Sequence, residues 1–315
     1  MRYKEFKNAG CKVSELAVGT WATGGQNYGK VNFKDSISAI VEMVDRGVNL
    51  IDTAPVYGNG TSEKVVGEVL KSIQRDKVLI STKAGLITDI YTRDAVKDAS
   101  YRNIMREIDS SLKNLNTDYI DFYFVHWPDA TTPISETMAA LNYLKDQGYI
   151  RYIGVSNFSR EQIIEAQQYA QIDVQQPPFS MVNMKEIELI KWGHEQGITS
   201  MSYGSLGAGI LSGTIRENPN LAKDDIRMTF YDYYHEPKFS KIQQLLTLLD
   251  EIGEKYGKSI PQIVINWSTQ QEYIGTALVG VNTVEQAIEN CSTFDWKLNE
   301  EDLNRISQKI QELEI

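Results

Sequence analysis

Cysteine is scarce in this 315-residue sequence, which contains only Cys11 and Cys291. Two cysteines so far apart form neither a disulfide framework nor the ligand spacing of a zinc site, so we expect no metal. The first ten residues, MRYKEFKNAG, lack the apolar core of a signal peptide. No apolar run approaches the roughly 20 residues that cross a bilayer. We therefore expect a cytoplasmic protein without a membrane partner.

Basic side chains are outnumbered as well. The chain has 32 Lys and Arg against 42 Asp and Glu, a formal net charge of -10. Such a balance disfavours attraction to phosphate backbones or anionic lipids, so nucleic acid is not an expected partner. The composition, 42% hydrophobic and 23% charged, is that of a globular chain with one large core or two smaller ones.

Eight short apolar runs recur along the chain, each followed by a polar turn and a stretch with helical periodicity. They cover residues 16–22, 49–54, 78–83, 121–127, 152–157, 172–176, 198–204 and 276–281. Most are apolar throughout, which is typical of parallel strands covered on both faces. Eight such units predict an α/β protein whose residues 1–315 form a single domain, a (β/α)8 TIM barrel.

The remaining residues predict additions to this barrel. We expect an N-terminal hairpin over residues 1–14, a long loop over 205–240 after strand seven, and a C-terminal helix near 299–313. Ser159 with Gln162, and Thr283 with Gln286, have the spacing of a capping box at a helix start. An open, doubly wound sheet is the alternative, but no G-x-G-x-x-G follows the first strand.

Polar residues close three successive apolar runs. Asp52 ends the second run, Lys83 ends the third and His126 lies near the end of the fourth, while Tyr57 follows Asp52 by five residues. Singly, they could be a buried ion pair, a core histidine and a rim aromatic. Because catalytic groups of such barrels lie at the carboxyl ends of strands, their joint occurrence favours an active site.

These four residue types suit proton transfer to a carbonyl oxygen. A nearby Lys83 cation is expected to lower the pKa of the Tyr57 phenol, and Asp52 is expected to keep Lys83 charged. His126 is expected to bond or orient the substrate oxygen. General acid catalysis of this kind contributes roughly 100- to 10,000-fold, and holding the reactants together must supply the rest.

The segment DTAPVYGNGTSEKVVGEVL at 52–70 resembles the signature of the aldo-keto reductase family around its catalytic tyrosine. Further matches are STK at 81–83, VHWPD at 125–129, IGVSNF at 153–158, YGSLGAGILSG at 203–213 and LVGVNTVEQAIEN at 278–290. The last of these segments, residues 278–290, looks closest to the long-chain branch that includes potassium-channel beta subunits and bacterial aldo/keto reductases. Together, these matches run through nearly the whole chain.

The resemblance implies a catalytic tetrad of Asp52, Tyr57, Lys83 and His126, with hydride delivered by a nicotinamide and the proton by the tyrosine. It also implies that Phe179 stands where the family has a tyrosine stacked on the nicotinamide ring. The other implied coenzyme contacts are Gly19, Thr20, Trp21, Asp52, Ser156, Asn157, Gln176, Tyr203, Gly204, Ser205, Leu206, Gly207, Gly209, Gly280, Asn282, Gln286 and Asn290.

Two positions depart from the family pattern. Asn282 and Thr214 are neutral where many members carry cations that grip phosphate oxygens. Each such charge-assisted contact is worth about 1.5–3 kcal/mol when desolvated. Their absence here argues against NADP(H). Members of the long-chain branch nevertheless resemble NADP(H) binders, so the resemblance favours NADP(H), with NAD(H) as the other possibility.

The expected substrate is a small aldehyde, ketone or sugar carbonyl held by Trp21, Tyr57, His126 and Trp127. Further aromatic residues that could wall the pocket are Tyr28, Phe230, Tyr231, Tyr233 and Tyr234. The sequence is compatible with a monomer or a homo-oligomer. Two rival hypotheses are a redox-sensing, channel-beta-like binding subunit with little turnover and a barrel hydrolase that uses Asp52 with another carboxylate.

Overall fold

The computed structural model describes residues 1–25, 31–88, 95–219, 221 and 225–315. An antiparallel hairpin of β1 (Tyr3–Phe6) and β2 (Cys11–Ser14) comes first, as predicted. Eight parallel strands then close into a barrel: β3 (Leu16–Gly19), β4 (Leu50–Asp52), β5 (Leu79–Ala84), β8 (Ile120–Val125), β9 (Ile150–Ser156), β10 (Val174–Gln176), β11 (Thr199–Ser202) and β12 (Ile274–Gly280). Each predicted apolar run overlaps one of them, so the (β/α)8 barrel is confirmed.

Helices surround the barrel and mostly cross from one strand to the next. These are α1 (Phe33–Asp45), α2 (Thr61–Leu70), α3 (Tyr101–Leu115), α4 (Ile134–Asp146), α5 (Arg160–Ala166), α6 (Ile187–Glu195) and α10 (Val284–Cys291). The capping box of Ser159 and Gln162 is present at the start of α5. At α10, Thr283 accepts the Gln286 backbone N–H, but the Gln286 side chain accepts the backbone N–H of Asn282 instead of closing the box.

Several elements lie outside the eight repeats. A second antiparallel hairpin, β6 (Leu86–Thr88) with β7 (Ala95–Lys97), follows β5 and was not predicted. The long loop after β11 holds a 3-10 turn (Gly207–Ser212) and the short α7 (Ile226–Phe230). Beyond it are α8 (Lys238–Tyr256), α9 (Ile260–Thr269) and the C-terminal α11 (Glu300–Leu313). Among the described residues, no helix is both long and apolar enough to cross a membrane.

The register of the barrel places the predicted catalytic strands side by side. Asp52 on β4 pairs with Ser81 on β5, and Gly19 on β3 pairs with Asp52 from the other side. Because strand side chains alternate between faces, Ser81 and Lys83 point to the same side of β5. Asp52, Ser81 and Lys83 therefore all face the barrel interior.

The N-terminal hairpin covers the end of the barrel opposite these residues. Phe6 and Val13 are fully buried in a cluster with interior side chains such as Phe122, Phe124 and Met201. The Lys4 ammonium donates to the carbonyl oxygens of Thr269, Gln271 and Ile274 at 2.8, 2.8 and 2.7 Å. With one end filled by side chains, only the carboxyl ends of the strands are left to form a site.

Candidate active site

Asp52 and Lys83 form a buried ion pair at the carboxyl ends of β4 and β5. Lys83 Nζ lies 2.8 Å from Asp52 Oδ2 and also donates to the carbonyl oxygen of Thr53 at 2.8 Å. Burial lowers the pKa of Lys83, and the charge and hydrogen bond of Asp52 act against this. The carboxylate therefore acts in the predicted direction, towards the charged form of Lys83.

Tyr57 lies in the turn between β4 and α2, which is tightly packed against the loop after β3. A Cβ atom on Gly58 would overlap the Gly24 carbonyl oxygen, and Gly58 has a left-handed φ of 63°. Only glycine satisfies both conditions. The Tyr57 ring stacks on Trp21 with centroids 6.1 Å apart, and Lys83 Nζ lies 5.0 Å from the Tyr57 ring centroid.

Buried hydroxyls hold this turn to the barrel. Ser62, at the start of α2, donates to Thr20 Oγ1 at 2.7 Å, and Thr20 Oγ1 donates to the Asp52 carbonyl oxygen at 2.8 Å. A hydrogen bond of 2.9 Å also joins the hydroxyls of Thr53 and Ser62. Thr20, which is predicted to contact the coenzyme, is fully buried, and its hydroxyl is bonded within this turn.

His126 completes the cluster from β8. Its ring makes an edge contact with the Tyr57 ring, with centroids 5.9 Å apart, and its backbone N–H donates to Ala84. Burial, together with the Lys83 charge, lowers the pKa of His126 well below its usual value. The imidazole is therefore neutral near pH 7, and Nδ1 has no hydrogen-bond partner within the described residues. All four predicted catalytic residues thus lie together.

The expected effect of Lys83 on Tyr57 is not found. Burial and the charge of Asp52 raise the pKa of Tyr57 well above 10.0. The sequence-based argument considered the lysine cation alone, whereas in the fold its charge is balanced by the carboxylate 2.8 Å away. The phenol is consequently protonated at neutral pH, which suits a proton donor.

A cavity of about 350 Å³ opens beside the tetrad, at the ends of β9, β10 and β11. Its wall includes Trp127, Asn157, Gln176 and Tyr203. Asn157 donates to the His126 carbonyl oxygen at 2.9 Å and accepts the Tyr203 hydroxyl at 3.0 Å. Ser156 donates to the Gln176 carbonyl oxygen at 2.9 Å. Most of the predicted carboxamide contacts therefore surround one cavity.

Phe179 does not lie where the family resemblance implies, at a position open to a nicotinamide ring. It is 1% exposed, and its ring lies parallel to that of Trp267 with centroids 5.6 Å apart, inside the apolar cluster beneath α8 and α9. Phe179 lines neither the cavity at the ends of β9, β10 and β11 nor a second one beside the long loop. Tyr203 borders both cavities, so its ring is available to a ligand there.

The segment after β11 has a backbone suited to close approach by a ligand. Gly204, Gly207, Ala208 and Gly209 all have left-handed φ values, of 71°, 56°, 53° and 93°. A Cβ atom on Gly204 would meet nothing within 4 Å among the described residues, and one on Gly209 only the Tyr234 hydroxyl at 3.9 Å. Ser205 is buried, and its hydroxyl donates to Ser202.

The start of α10 lies beside this segment in the ring of strand ends. Gly280 and Gly19 pair across β12 and β3 just before it. Asn282 and Gln286 are exposed, and the Asn282 N–H donates to Gln286 Oε1 at 2.9 Å. Asn290, one turn further along the helix, is 5% exposed. The side-chain oxygen of Gln286 is therefore already bonded within the protein, which the sequence pattern did not show.

The aromatic residues of the long loop reach the site by different routes. Phe230 and Tyr231 contact the Trp21 ring, with centroids 5.9 and 6.4 Å apart, and Tyr233 stacks on Tyr231. Tyr234 is fully buried and donates to the Ala208 carbonyl oxygen, so it anchors the loop to the segment after β11. The predicted wall residue Tyr28 lies outside the described residues.

The fold and site together define a (β/α)8 barrel with an aspartate, a lysine, a tyrosine and a histidine grouped at the carboxyl ends of its strands. Residues 15–311 match the model of the aldo/keto reductase family, so the chain belongs to that family. The chain is therefore an oxidoreductase of a family that acts on small-molecule carbonyls, which gives no support to the hydrolase hypothesis.

Relatives of similar length share this assignment. The chain is 36% identical to aldo-keto reductase YhdN of Bacillus subtilis, covering 98% of this chain and 93% of the relative. It is 32% identical to the NADH-specific methylglyoxal reductase of Escherichia coli, covering 96% of each. A probable voltage-gated potassium channel subunit beta of Arabidopsis thaliana is 31% identical, covering 94% and 92%. The predicted branch is thus confirmed.

A solved structure agrees with the barrel throughout. The glycerol dehydrogenase of Gluconobacter oxydans superimposes with a TM-score of 0.87 at 31% identity, covering 96% of this chain and 93% of the other. With reductases and a dehydrogenase among the relatives, the purely regulatory alternative is not favoured.

Proposed function

We propose that this protein is an NAD(P)(H)-dependent reductase that transfers hydride between nicotinamide and an aldehyde, ketone or sugar carbonyl. Tyr57 is the general acid in reduction and the general base in oxidation. The observation that carries the proposal is the meeting of the Tyr57, Lys83 and His126 side chains, with Asp52 bonded to Lys83.

The residues around the site fit a dinucleotide. The left-handed Gly204 and Gly209 after β11 leave open space above the backbone among the described residues, which is what close approach by a pyrophosphate requires. Asn157 and Gln176 offer amide groups beside the Tyr203 ring, a combination that suits a planar carboxamide-bearing ring. The start of α10, with Asn282, Gln286 and Asn290, is the proposed adenosine end.

In the proposed reaction the bound nicotinamide supplies the hydride. Tyr57 Oη donates its proton to the carbonyl oxygen, and Lys83 Nζ, 5.0 Å from the Tyr57 ring centroid and paired with Asp52, lies beside the phenolate that is left. Asp52 keeps Lys83 charged as the proton leaves. The neutral His126 ring, held over the edge of Tyr57, donates a hydrogen bond to the substrate oxygen and orients it.

The coenzyme and substrate are proposed with an order of preference. NADP(H) is the first choice that the family resemblance gives, and NAD(H) is the second, favoured by the neutral Asn282 and Thr214. One relative is named as NADH-specific. Because relatives are named for methylglyoxal and glycerol, we propose small oxygenated carbonyls as the first substrates to test, bounded by Trp21 and Trp127.

The test follows absorbance of reduced nicotinamide with NADPH and with NADH. Methylglyoxal, glyceraldehyde, dihydroxyacetone, aryl aldehydes and aldoses form the substrate panel. We expect Tyr57→Phe to lose at least roughly 100-fold in turnover, because it removes the general acid. Tyr143→Phe is the matched control, since Tyr143 is 43% exposed on α4. Equal turnover of Tyr57→Phe and the wild type would refute the proposed role of this residue.

A further inference from the structure

The Asp52 carboxylate receives more hydrogen bonds than the ion pair requires. Its Oδ2 atom accepts from Lys83, whereas Oδ1 accepts from the Ser81 hydroxyl at 2.6 Å and from Gln176 Nε2 at 2.9 Å. All four side chains are buried, with Asp52 and Gln176 each 2% exposed. The two carboxylate oxygens are therefore chemically distinct, one serving the cation and one serving neutral donors.

The two neutral donors come from opposite sides of the barrel. Ser81 is the direct ladder partner of Asp52, whereas Gln176 is on β10, four strands away in the closed ring of eight. Its amide thus bridges the barrel mouth. Because a carboxylate oxygen can only accept, the Gln176 NH₂ group must face Asp52 and its Oε1 atom must face away. The contact fixes both the carboxylate and the amide.

Such donors matter because an isolated buried ion pair is poorly determined. A carboxylate with one cationic partner can rotate and exchange its oxygens, and desolvation favours transfer of the proton to give two neutral groups. Hydrogen bonds to the charged form of a carboxylate oppose both events. Ser81 and Gln176 supply two such bonds on the oxygen that Lys83 does not use.

We propose that Ser81 and Gln176 are positioning residues, which hold Asp52 ionised with Oδ2 directed at Lys83 and thereby fix the ammonium next to Tyr57. Neither residue needs to touch the reacting atoms for this. The inference deepens the proposed function and rests on it only for its kinetic consequence, because the hydrogen bonds that carry it join side chains of the protein to one another.

The first test does not depend on turnover. Lysines are labelled at Cε with ¹³C, and the Lys83 resonance, identified by its absence in Lys83→Met, is titrated by NMR. Ser81→Ala removes a hydrogen bond that stabilises the Asp52 carboxylate most when Lys83 is neutral, so the proton that the two groups share is released at a higher pH. We expect the Lys83 midpoint to rise by about half to one pH unit, the equivalent of one hydrogen bond. Gln176→Met, which keeps the shape without the donor, should shift it in the same direction.

Ser200→Ala is the matched control. Ser200 is a fully buried serine on β11 whose hydroxyl accepts a hydrogen bond from Gln175 Nε2. Among the described residues it makes no hydrogen bond with Asp52. It should leave the Lys83 midpoint unchanged. A Lys83 midpoint that stays at its wild-type value in folded Ser81→Ala and in folded Gln176→Met would overturn the proposal.

The second test is the pH profile of kcat for reduction. Activity requires protonated Tyr57, and the less compensated Asp52 charge should move the alkaline limb upward in Ser81→Ala by a similar fraction of a unit. A purely structural role would lower kcat equally at every pH and leave the limb in place, which would contradict the kinetic consequence. Absence of turnover in the wild type would instead refute the proposed function, while the NMR titration would still decide the positioning role.

Discussion

Replacing Asp52 by asparagine tests how strongly the fold depends on the buried ion pair. The change is nearly isosteric, but it removes the countercharge from an ammonium that is fully buried. The asparagine would also direct either an N–H group or a neutral oxygen at Lys83 Nζ, 2.8 Å away. Removing one partner of a buried pair costs about 3–5 kcal/mol.

The ordinary pKa of lysine sets an independent upper limit on this cost. Without a countercharge, the folded variant can hold Lys83 in its neutral form. Deprotonating a lysine of ordinary pKa 10.5 at pH 7 costs about 5 kcal/mol, since each pH unit below the pKa costs about 1.4 kcal/mol. At pH 9 the same ceiling is about 2 kcal/mol. The destabilisation of Asp52→Asn should therefore shrink as pH rises, because the folded state of the variant holds fewer protons than the unfolded state.

Urea unfolding at pH 7 and pH 9 measures both effects. The double variant Asp52→Asn/Lys83→Met should be more stable than Asp52→Asn, because no charge is left unpaired. The exposed pair of Glu68 and Lys71 is the control, and Glu68→Gln should cost no more than about 0.5 kcal/mol. A cost for Asp52→Asn below about 1 kcal/mol, or one that grows with pH, would refute this reasoning.

Three further predictions concern other parts of the chain. Gly58→Ala should lower the free energy of unfolding by more than about 2 kcal/mol in thermal unfolding and reduce activity, because its Cβ atom would overlap Gly24. Gly257 is also left-handed but has open space around it among the described residues, so Gly257→Ala should cost only about 1 kcal/mol. Burial raises the pKa of Glu107 to about 7 from 4.5, so the stability that this group contributes is lost as pH rises from 4.5 through 7. In urea unfolding followed against pH, Glu107→Gln should therefore reduce the fall in the free energy of unfolding over this range. Asn282→Arg should raise the affinity for NADPH relative to NADH by roughly tenfold or more in fluorescence titrations, and an unchanged ratio would place the 2′-phosphate elsewhere.

Most of the barrel could be predicted because its signals are local. An apolar run, a polar turn and a helical stripe each occupy a few adjacent residues, and the closing residues Asp52 and Lys83 are read directly at the ends of their runs. Tyr57 and His126 were found for the same reason. That residues 1–315 form one domain, and that the protein is a monomer or an oligomer, stay predictions.

Features set by contacts between distant residues could not be predicted. Gln176 bonds Asp52 across 124 positions of sequence, and nothing near either residue indicates that pairing. Ser81 had a weak signal, because it lies two residues before Lys83 and so on the same face of β5. Phe179 was misplaced because an aromatic residue after a strand end suits either a ligand or the core, and only Trp267 on α9 decides between them.

The hydrogen bonds of Lys4 also have a consequence for the order in which the chain folds. They join the first strand to carbonyl oxygens 265 to 270 positions away, and Arg2 reaches the Trp296 carbonyl oxygen across 294. Contacts of such separation form late, because the entropy of closing so long a loop must first be overcome. The β1–β2 hairpin can form early by itself, yet it can dock only when β12 has joined β3. We therefore expect sealing of the barrel and docking of its N-terminal plug to be a single, final step.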